Sequence, residues 1–193
     1  MLMDFGQHAQ THPFHAPDMI SLSDFDSYVR DMKAGYVLVD HIARTSEIED
    51  QLATCAAEKG LKPVRDDGLL AEISGLVEWP NVILGQIDAD FMELPAEILV
   101  TSMRVHQKFF ALSATGEAEK LAPYFMTVAN RMSDAGTDQL IANGNERVLR
   151  ARLADARFFW DQDRAKSLSE MASGLAHITF YEGLGSVGDK GRR

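Results

Sequence analysis

The chain has 193 residues, of which 46% are hydrophobic and 25% are charged, and its formal net charge is −10. This length and composition are typical of a soluble globular protein with one well-buried core. The excess of acidic residues argues against a protein that binds nucleic acid by itself, because such a protein must neutralise phosphates. DNA is therefore not an expected partner, and RNA contact is expected only through a local patch.

The expected location follows from segments that the sequence lacks. No apolar run reaches the roughly 18 residues that a membrane span requires, and the first residues lack the basic and apolar regions of a signal peptide. Cys55 is the single cysteine, which excludes an internal disulfide and fits a reducing compartment. We therefore expect a cytoplasmic protein without a membrane partner.

Apolar periodicity, capping residues and glycine or proline breaks predict alternating helices and strands. The predicted helices span residues 21–33, 45–60, 69–77, 98–106, 138–163 and 167–175. The predicted strands span residues 36–39, 82–87, 108–112, 124–128 and 178–181. Residues 1–17 are predicted to be an irregular lead-in.

This order of elements predicts a mixed α/β (α+β) fold. Residues 1–135 are expected to form the mixed α/β module, and residues 136–193 a C-terminal helical arm. No internal repeat, linker or low-complexity segment suggests a different organisation.

No motif in the sequence identifies a set of catalytic residues. It lacks a Walker-type loop, a dinucleotide fingerprint after a strand and a paired-cysteine zinc motif. The pair His12-x-x-His15 has a spacing compatible with a metal, but Pro13 lies inside it and no carboxylate or cysteine completes the set. Cys55 falls on the apolar side of its helix and is interpreted as an inert core thiol. No catalytic residue, metal or bound cofactor is therefore predicted.

The predicted helix at residues 138–163 is rich in arginine, and its faces decide whether it is a basic surface. At about 100° per residue, one side is apolar and consists of Leu149, Leu153, Ala156 and Trp160. The arginines point to several other sides, and most have an acid at helical spacing, as Arg150 has in Glu146. The helix is therefore expected to neutralise much of its own charge.

Two predictions concern individual charges of this helix. Arg152 and Asp155 lie near Val148 and Phe159, so they are predicted to form a buried structural ion pair. Arg147 has no acid at helical spacing and follows Asn145 by two residues. Asn145 and Arg147 are therefore the candidate RNA contacts of the helix.

A second candidate RNA-contact patch precedes the aromatic pair Phe109–Phe110. It consists of Arg104, His106, Gln107 and Lys108, whose donors suit phosphate or base contacts. The alternative is a solvated helix end with one of the phenylalanines in the core.

Several motifs occur in the order in which a known family has them. They are Glu-Trp-Pro at 78–80, Leu-Pro-x-Glu at 94–97, Met-Arg-x-His-Gln-Lys at 103–108, Thr-Val-Ala-Asn at 127–130 and, above all, Gly-Asn-Glu-Arg-Val-Leu-Arg-Ala-Arg-Leu-Ala-Asp-Ala-Arg-Phe-Phe at 144–159. Segments 12–17 and 184–190 correspond as well. Over nearly its whole length, the chain resembles the beta subunit of bacterial tetrameric glycyl-tRNA synthetase.

The resemblance implies a B3/B4-like module, similar to that of phenylalanyl-tRNA synthetase, from the interior of a longer subunit. It also implies two partners, the alpha subunit and tRNA. The alpha subunit of that enzyme carries the class II catalytic core, so ATP and Mg are expected there and no cofactor is expected in this chain.

The resemblance favours a non-catalytic part of glycine–tRNA ligase that supplies scaffold, subunit or tRNA contacts. The related phenylalanine module edits mischarged tRNA, but editing is needed when a smaller or isosteric competitor cannot be rejected, and no amino acid is smaller than glycine. Two alternatives stay open: a hydrolase that edits mischarged tRNA in trans, and a purely structural interface module.

Overall fold

A four-stranded antiparallel sheet organises the fold in the computed structural model, which describes residues 8–115 and 120–191. The strands are β1 (His8–Gln10), β2 (Met19–Ser21), β3 (Leu61–Pro63), β4 (Pro80–Gln86), β5 (Phe110–Ala114), β6 (Leu121–Asn130), β7 (Thr179–Tyr181) and β8 (Gly185–Ser186). The sheet has the order β3-β5-β6-β4, whereas β1–β2 and β7–β8 form separate antiparallel pairs.

The helices account for more of the chain than the strands. They are α1 (Phe25–Ala34), α2 (His41–Ala57), α3 (Asp67–Ser74), α4 (Ala96–Gln107), α5 (Ala135–Arg164), α6 (Leu168–Gly174) and α7 (Val187–Gly191), with short 3₁₀ helices at Ala89–Glu93 and Leu175–His177. The predicted mixed α/β fold is therefore confirmed.

One face of the sheet packs against α2 and α3. Phe110, Leu112 and Met126 of the strands meet buried residues of the two helices, namely Ile48, Leu52, Ala56, Leu69, Leu70 and Ile73. On α2 the buried positions recur every four residues, so a single stripe of the helix faces the sheet.

The opposite face of the sheet holds a second apolar cluster. Ala111 and Phe125 are cross-strand partners, so their side chains share this face. Phe125 is fully buried and stacks on Phe109 with ring centroids 4.4 Å apart. The helix α4 lies against β5 and contributes buried Leu99 and Met103.

β4 carries a glycine where the Phe125 ring crosses it. Gly85 is the cross-strand partner of Phe125, and a Cβ atom at position 85 would lie 2.2 Å from Cζ of that ring. Because no side chain tolerates such a distance, glycine is required for the ring to occupy this position.

The helix α5 is anchored beside β4 by polar contacts as well as by burial. Asp138 accepts a hydrogen bond from Asn81 Nδ2 at 2.9 Å, and Glu146 accepts one from the Gln86 backbone N–H at 2.9 Å. The buried residues of the helix are Ala142, Leu149 and Leu153. Of the predicted apolar side, Leu149 and Leu153 are confirmed as buried, whereas Ala156 and Trp160 are half-buried.

The predicted strand at residues 36–39 is wrong, because these residues form an irregular connection between α1 and α2. Arg44 holds this connection: its guanidinium donates to the carbonyls of Leu38 and Val39, and to that of Ser74 at 2.9 Å. A side chain six residues ahead thus satisfies carbonyls that a strand would have bonded to a neighbour.

The predicted irregular lead-in is also partly wrong. β1 and β2 pair as a short antiparallel ladder, and the residues between them are held by side chains. His15 Nε2 accepts a hydrogen bond from the Met132 N–H at 2.9 Å. His12 is fully buried, and its ring lies 4.6 Å from that of His15. Burial lowers the pKa of His15, and the nearby His12 and Arg131 lower it further. Residues 1–7 of the predicted lead-in lie outside the described residues.

The chain divides into two compact units, Met1–Leu153 and Ala154–Arg193. The predicted boundary at residue 135 coincides with the first residue of α5, whereas the division between the units falls within this helix. In the second unit, the predicted helix at 167–175 is confirmed as α6, which begins with a capping box between Ser167 and Glu170. The predicted extended segment at 178–181 is confirmed as β7.

Substitution of Gly85 by alanine should destabilise the protein by about 1–3 kcal/mol, because the new methyl group collides with the buried Phe125 ring. Gly144 provides the matched control: nothing lies within 4 Å of a Cβ atom at this position in α5. Gly144→Ala should stabilise the protein by about 0.5–1 kcal/mol, because glycine is a poor helix former. Urea unfolding of both variants measures the two changes, and equal stability of Gly85→Ala and the parent chain would contradict the packing described.

Candidate nucleic-acid interface

The candidate patch of Arg104, His106, Gln107 and Lys108 lies at the C-terminal end of α4. Lys108 is the C-cap of this helix and has φ 58°, so it turns the chain into β5. Arg104 and His106 are exposed, while Gln107 and Lys108 are half-buried. Phe109 and Phe110 are both buried, so the aromatic pair belongs to the core and does not present its rings to a ligand.

The two cations of this patch are paired with acids of α3. Arg104 bonds to Asp66, and Lys108 Nζ lies 2.7 Å from Glu72 Oε1. Asp66 is also the N-cap of α3 and accepts the Leu69 N–H at 2.8 Å. The structure therefore brings the four predicted residues together, but it neutralises both of their permanent charges.

The pKa of Asp66 reflects both its ion pair with Arg104 and its hydrogen bond from the Leu69 N–H. Burial raises its pKa, but the hydrogen bonds from Arg104 and from the Leu69 N–H outweigh burial, so the net shift is downward. The carboxylate is therefore held in its ionised form, and Arg104 keeps its partner at neutral pH.

The other candidate contacts, Asn145 and Arg147, lie on α5, where the neighbouring Arg150 has a different partner from the expected one. Its Nε lies 2.5 Å from Asp88 Oδ2 and its Nη2 lies 3.0 Å from Asp88 Oδ1. This two-pronged bond lowers the pKa of Asp88. Glu146, the expected partner, instead accepts the Gln86 N–H. Arg150 thus fastens α5 to the segment that follows β4.

The predicted burial of the Arg152–Asp155 pair is wrong. Both residues are exposed, and the ion pairs found within residues 8–115 and 120–191 do not include this one. The reason is that Val148 and Phe159, whose apolar side chains suggested a buried face, are themselves 43% and 62% exposed.

Arg147 is exposed, and Asn145 beside it is half-buried. No ion pair of Arg147 or Arg152 occurs within the described part of the chain. Five residues of α-helix place their Cα atoms about 140° apart around the axis. The two cations therefore face different directions. The sequence did not predict Arg152 as an exposed charge, because Asp155 at helical spacing suggested a buried ion pair.

Other side chains that could react or bind a metal lie in structural positions. Cys55 is half-buried against the core formed with α2 and α3, and burial raises the pKa of its thiol. No three side chains of His, Cys, Asp or Glu come together as a metal-ligand set among the residues that the structure describes. Over the same residues, no helix is long and apolar enough to cross a membrane.

Asp66→Asn should lower stability at neutral pH, because it removes the charge that Arg104 contacts while asparagine still caps α3. The pKa of Asp66 is lowered in the folded state, so its contribution is present above the unfolded pKa of about 3.9 and is lost as the pH falls through the folded pKa. The stability difference between parent and variant, measured by urea unfolding from pH 7 to pH 2, should therefore shrink on acidification. Asp50→Asn, an exposed carboxylate of α2, is the control, and a difference that is independent of pH would contradict the prediction.

Comparison with known proteins identifies related sequences. The family model described as "Glycyl-tRNA synthetase beta subunit" matches residues 2–193. A glycine–tRNA ligase beta subunit of Rhodospirillum centenum is 44% identical over 189 residues, which are 98% of this chain and 26% of that protein. The corresponding subunit of Chromohalobacter salexigens is 41% identical over 192 residues, which are 99% of this chain and 27% of that protein. The chain thus spans about a quarter of the length of these relatives, and it belongs to the glycyl-tRNA synthetase beta subunit family.

Proposed function

We propose that this chain is a non-catalytic portion of glycine–tRNA ligase, the enzyme that joins glycine to its tRNA with ATP. Its partners are the alpha subunit and tRNA, and its location is the cytoplasm. Membership of the beta-subunit family supports this assignment. ATP and Mg bind to the alpha subunit in this proposal, and the chain itself holds no cofactor.

The observation that carries tRNA contact is the exposed guanidinium of Arg147, which forms no ion pair within residues 8–115 and 120–191. Guanidinium groups bind phosphate through two parallel hydrogen bonds, and Asn145 adds an amide to the same turn of α5. The neighbouring Arg150 is occupied by Asp88, so we assign the tRNA contact to Arg147, which lies beside Asn145. Since the net charge is −10, this contact assists a larger assembly and does not capture tRNA alone.

The end of α4 is the weaker candidate. Arg104 and Lys108 are engaged by Asp66 and Glu72, so a phosphate must displace a carboxylate before either cation binds it. His106 and Gln107 carry no such partner within the described residues and are the remaining donors of that patch.

Arg147→Gln should weaken binding of glycine tRNA and should reduce the slope of log affinity against log salt by about one unit, because one phosphate contact is lost. Arg150→Gln removes the same charge from the same helix, but Asp88 already neutralises that arginine. This matched control should leave the slope unchanged. Filter binding at several salt concentrations, with the alpha subunit present, measures both effects, and the melting temperature of each variant verifies folding.

Equal slopes for Arg147→Gln and the parent chain would contradict tRNA contact at this position. Absence of salt-dependent binding in every variant would favour the purely structural interface module.

A mixture of this chain with alpha subunit, glycine, ATP and tRNA should show no aminoacylation. The chain should also fail to deacylate alanyl- or seryl-tRNA. Robust charging would contradict the non-catalytic role, and deacylation would favour the editing hydrolase.

A further inference from the structure

A cleft between α4 and the sheet contains several polar side chains that the proposed tRNA contacts do not involve. Its volume is about 500 Å³, which lies in the range of small-molecule sites. Lys62, Ser113 and Leu121 form its floor, while Ala96, Glu97 and Val100 of α4 form one wall.

The register of the sheet explains the floor. Lys62 of β3 is directly opposite Ser113 of β5, and Ser113 is directly opposite Leu121 of β6. Directly opposed residues project from the same face of an antiparallel sheet. The three side chains therefore form a row across three strands, with the Ser113 hydroxyl in the middle and directed towards α4.

The hydroxyl of Ser113 belongs to a nearly buried residue and has no hydrogen-bond partner among the described residues. The residue is 3% exposed, and within residues 8–115 and 120–191 its Oγ makes no hydrogen bond. Among the described residues, the fully buried side-chain polar atom without a partner is His12 Nε2, so the Ser113 hydroxyl is open to the cleft. Such a group in the floor of a cleft points to a ligand that bonds to it.

The first turn of α4 supplies further donors to the same cleft. Pro95 is the N-cap and provides no side-chain hydrogen bond. The N–H groups of Ala96 and Glu97 have no acceptor among the described residues, and the helix dipole makes this end partly positive. Lys62 is exposed and forms no ion pair in the same part of the chain.

We propose that this cleft binds a small molecule that carries a carboxylate or phosphate group. The anionic group accepts hydrogen bonds from Ser113, from Lys62 and from the first turn of α4. The remainder of the molecule is apolar and lies against Val100 and Leu121. A neighbouring cavity of about 370 Å³ shares Ala96 and Leu121 and is lined largely by apolar side chains, which include Met92, Leu94 and Leu99. This cavity gives room for the apolar part.

One group opposes the anion. Glu97 lines the cleft, but it is exposed at the start of α4, so solvent screens its repulsion. Substitution of Glu97 tests the charge of the ligand, because removal of this carboxylate should strengthen binding of an anionic ligand and weaken binding of a cationic one.

Phenyl phosphate and benzoate are suitable probes, with benzyl alcohol as the neutral analogue and inorganic phosphate as the anion without an apolar part. Amide chemical shifts of the full chain, followed during titration, report both affinity and location. We expect saturable shifts at Ala96, Glu97 and Ser113 with at least one aromatic anion, and weaker binding of benzyl alcohol and inorganic phosphate. The stronger of the two aromatic anions identifies the preferred anionic group.

Four variants test the residues. Ser113→Ala should weaken binding of the preferred probe by about tenfold, as expected for a lost hydrogen bond to a charged group. Lys62→Gln should weaken it by about threefold, because the lysine is exposed. Glu97→Gln should strengthen it, whereas Lys59→Gln, an exposed lysine outside the cleft, should leave it unchanged.

The melting temperature without ligand separates a binding role of Ser113 from a structural one. Loss of an unbonded hydroxyl should leave the melting temperature of Ser113→Ala unchanged or higher. A lowered melting temperature would assign Ser113 to packing. Absence of saturable binding by both aromatic anions, equal affinity in parent and Ser113→Ala, or weaker binding in Glu97→Gln would each overturn the proposal.

Discussion

The close approach of the Phe125 ring to Gly85 is the constraint on which the central packing depends. A side chain at position 85 would occupy the space of the ring. Phe109, in the connection between α4 and β5, stacks on that ring. β4 and β6 are the longest paired strands of the sheet, so a shift of this ring would disturb the register on which both apolar faces rely. The absence of a side chain at position 85 of β4 thus permits the packing of the helices against the sheet.

The charged residues of this acidic chain serve its own tertiary structure to a large extent. Arg150 links α5 to Asp88, Arg104 links α4 to Asp66, and Arg44 satisfies three carbonyls around the connection after α1. The two ion pairs join elements that are distant in sequence. All three arginines are thereby removed from the set of cations available to nucleic acid. An arginine-rich motif is therefore a poor measure of a basic surface until the partners of its side chains are known.

Elements with longer periodic patterns were predictable from the sequence, as α4, α5 and β4 illustrate. β1 and β3 were not, because three residues carry too little periodicity and their pairing comes from partners far along the chain. For the candidate site, the lack of a nearby acid identified Arg147 correctly as an exposed cation. The pairing of Arg150 with Asp88 spans 62 residues and leaves no local signal. The cleft was equally invisible, since Lys62, Ser113 and Leu121 become neighbours only through the register of three strands.

The strand order has a consequence for synthesis on the ribosome. β6 lies between β5 and β4 in the sheet, yet it is the last of the four strands to be translated. β4 lies at the edge of the sheet and pairs with β6. It therefore lacks the hydrogen bonds of this pairing until residue 130 has left the exit tunnel. During this interval the apolar residues of α2, α3 and β4 are exposed, and nascent chains in that state are sensitive to aggregation. A pause in translation after β6, or a chaperone bound before it, would protect the chain at the stage when its sheet is still open.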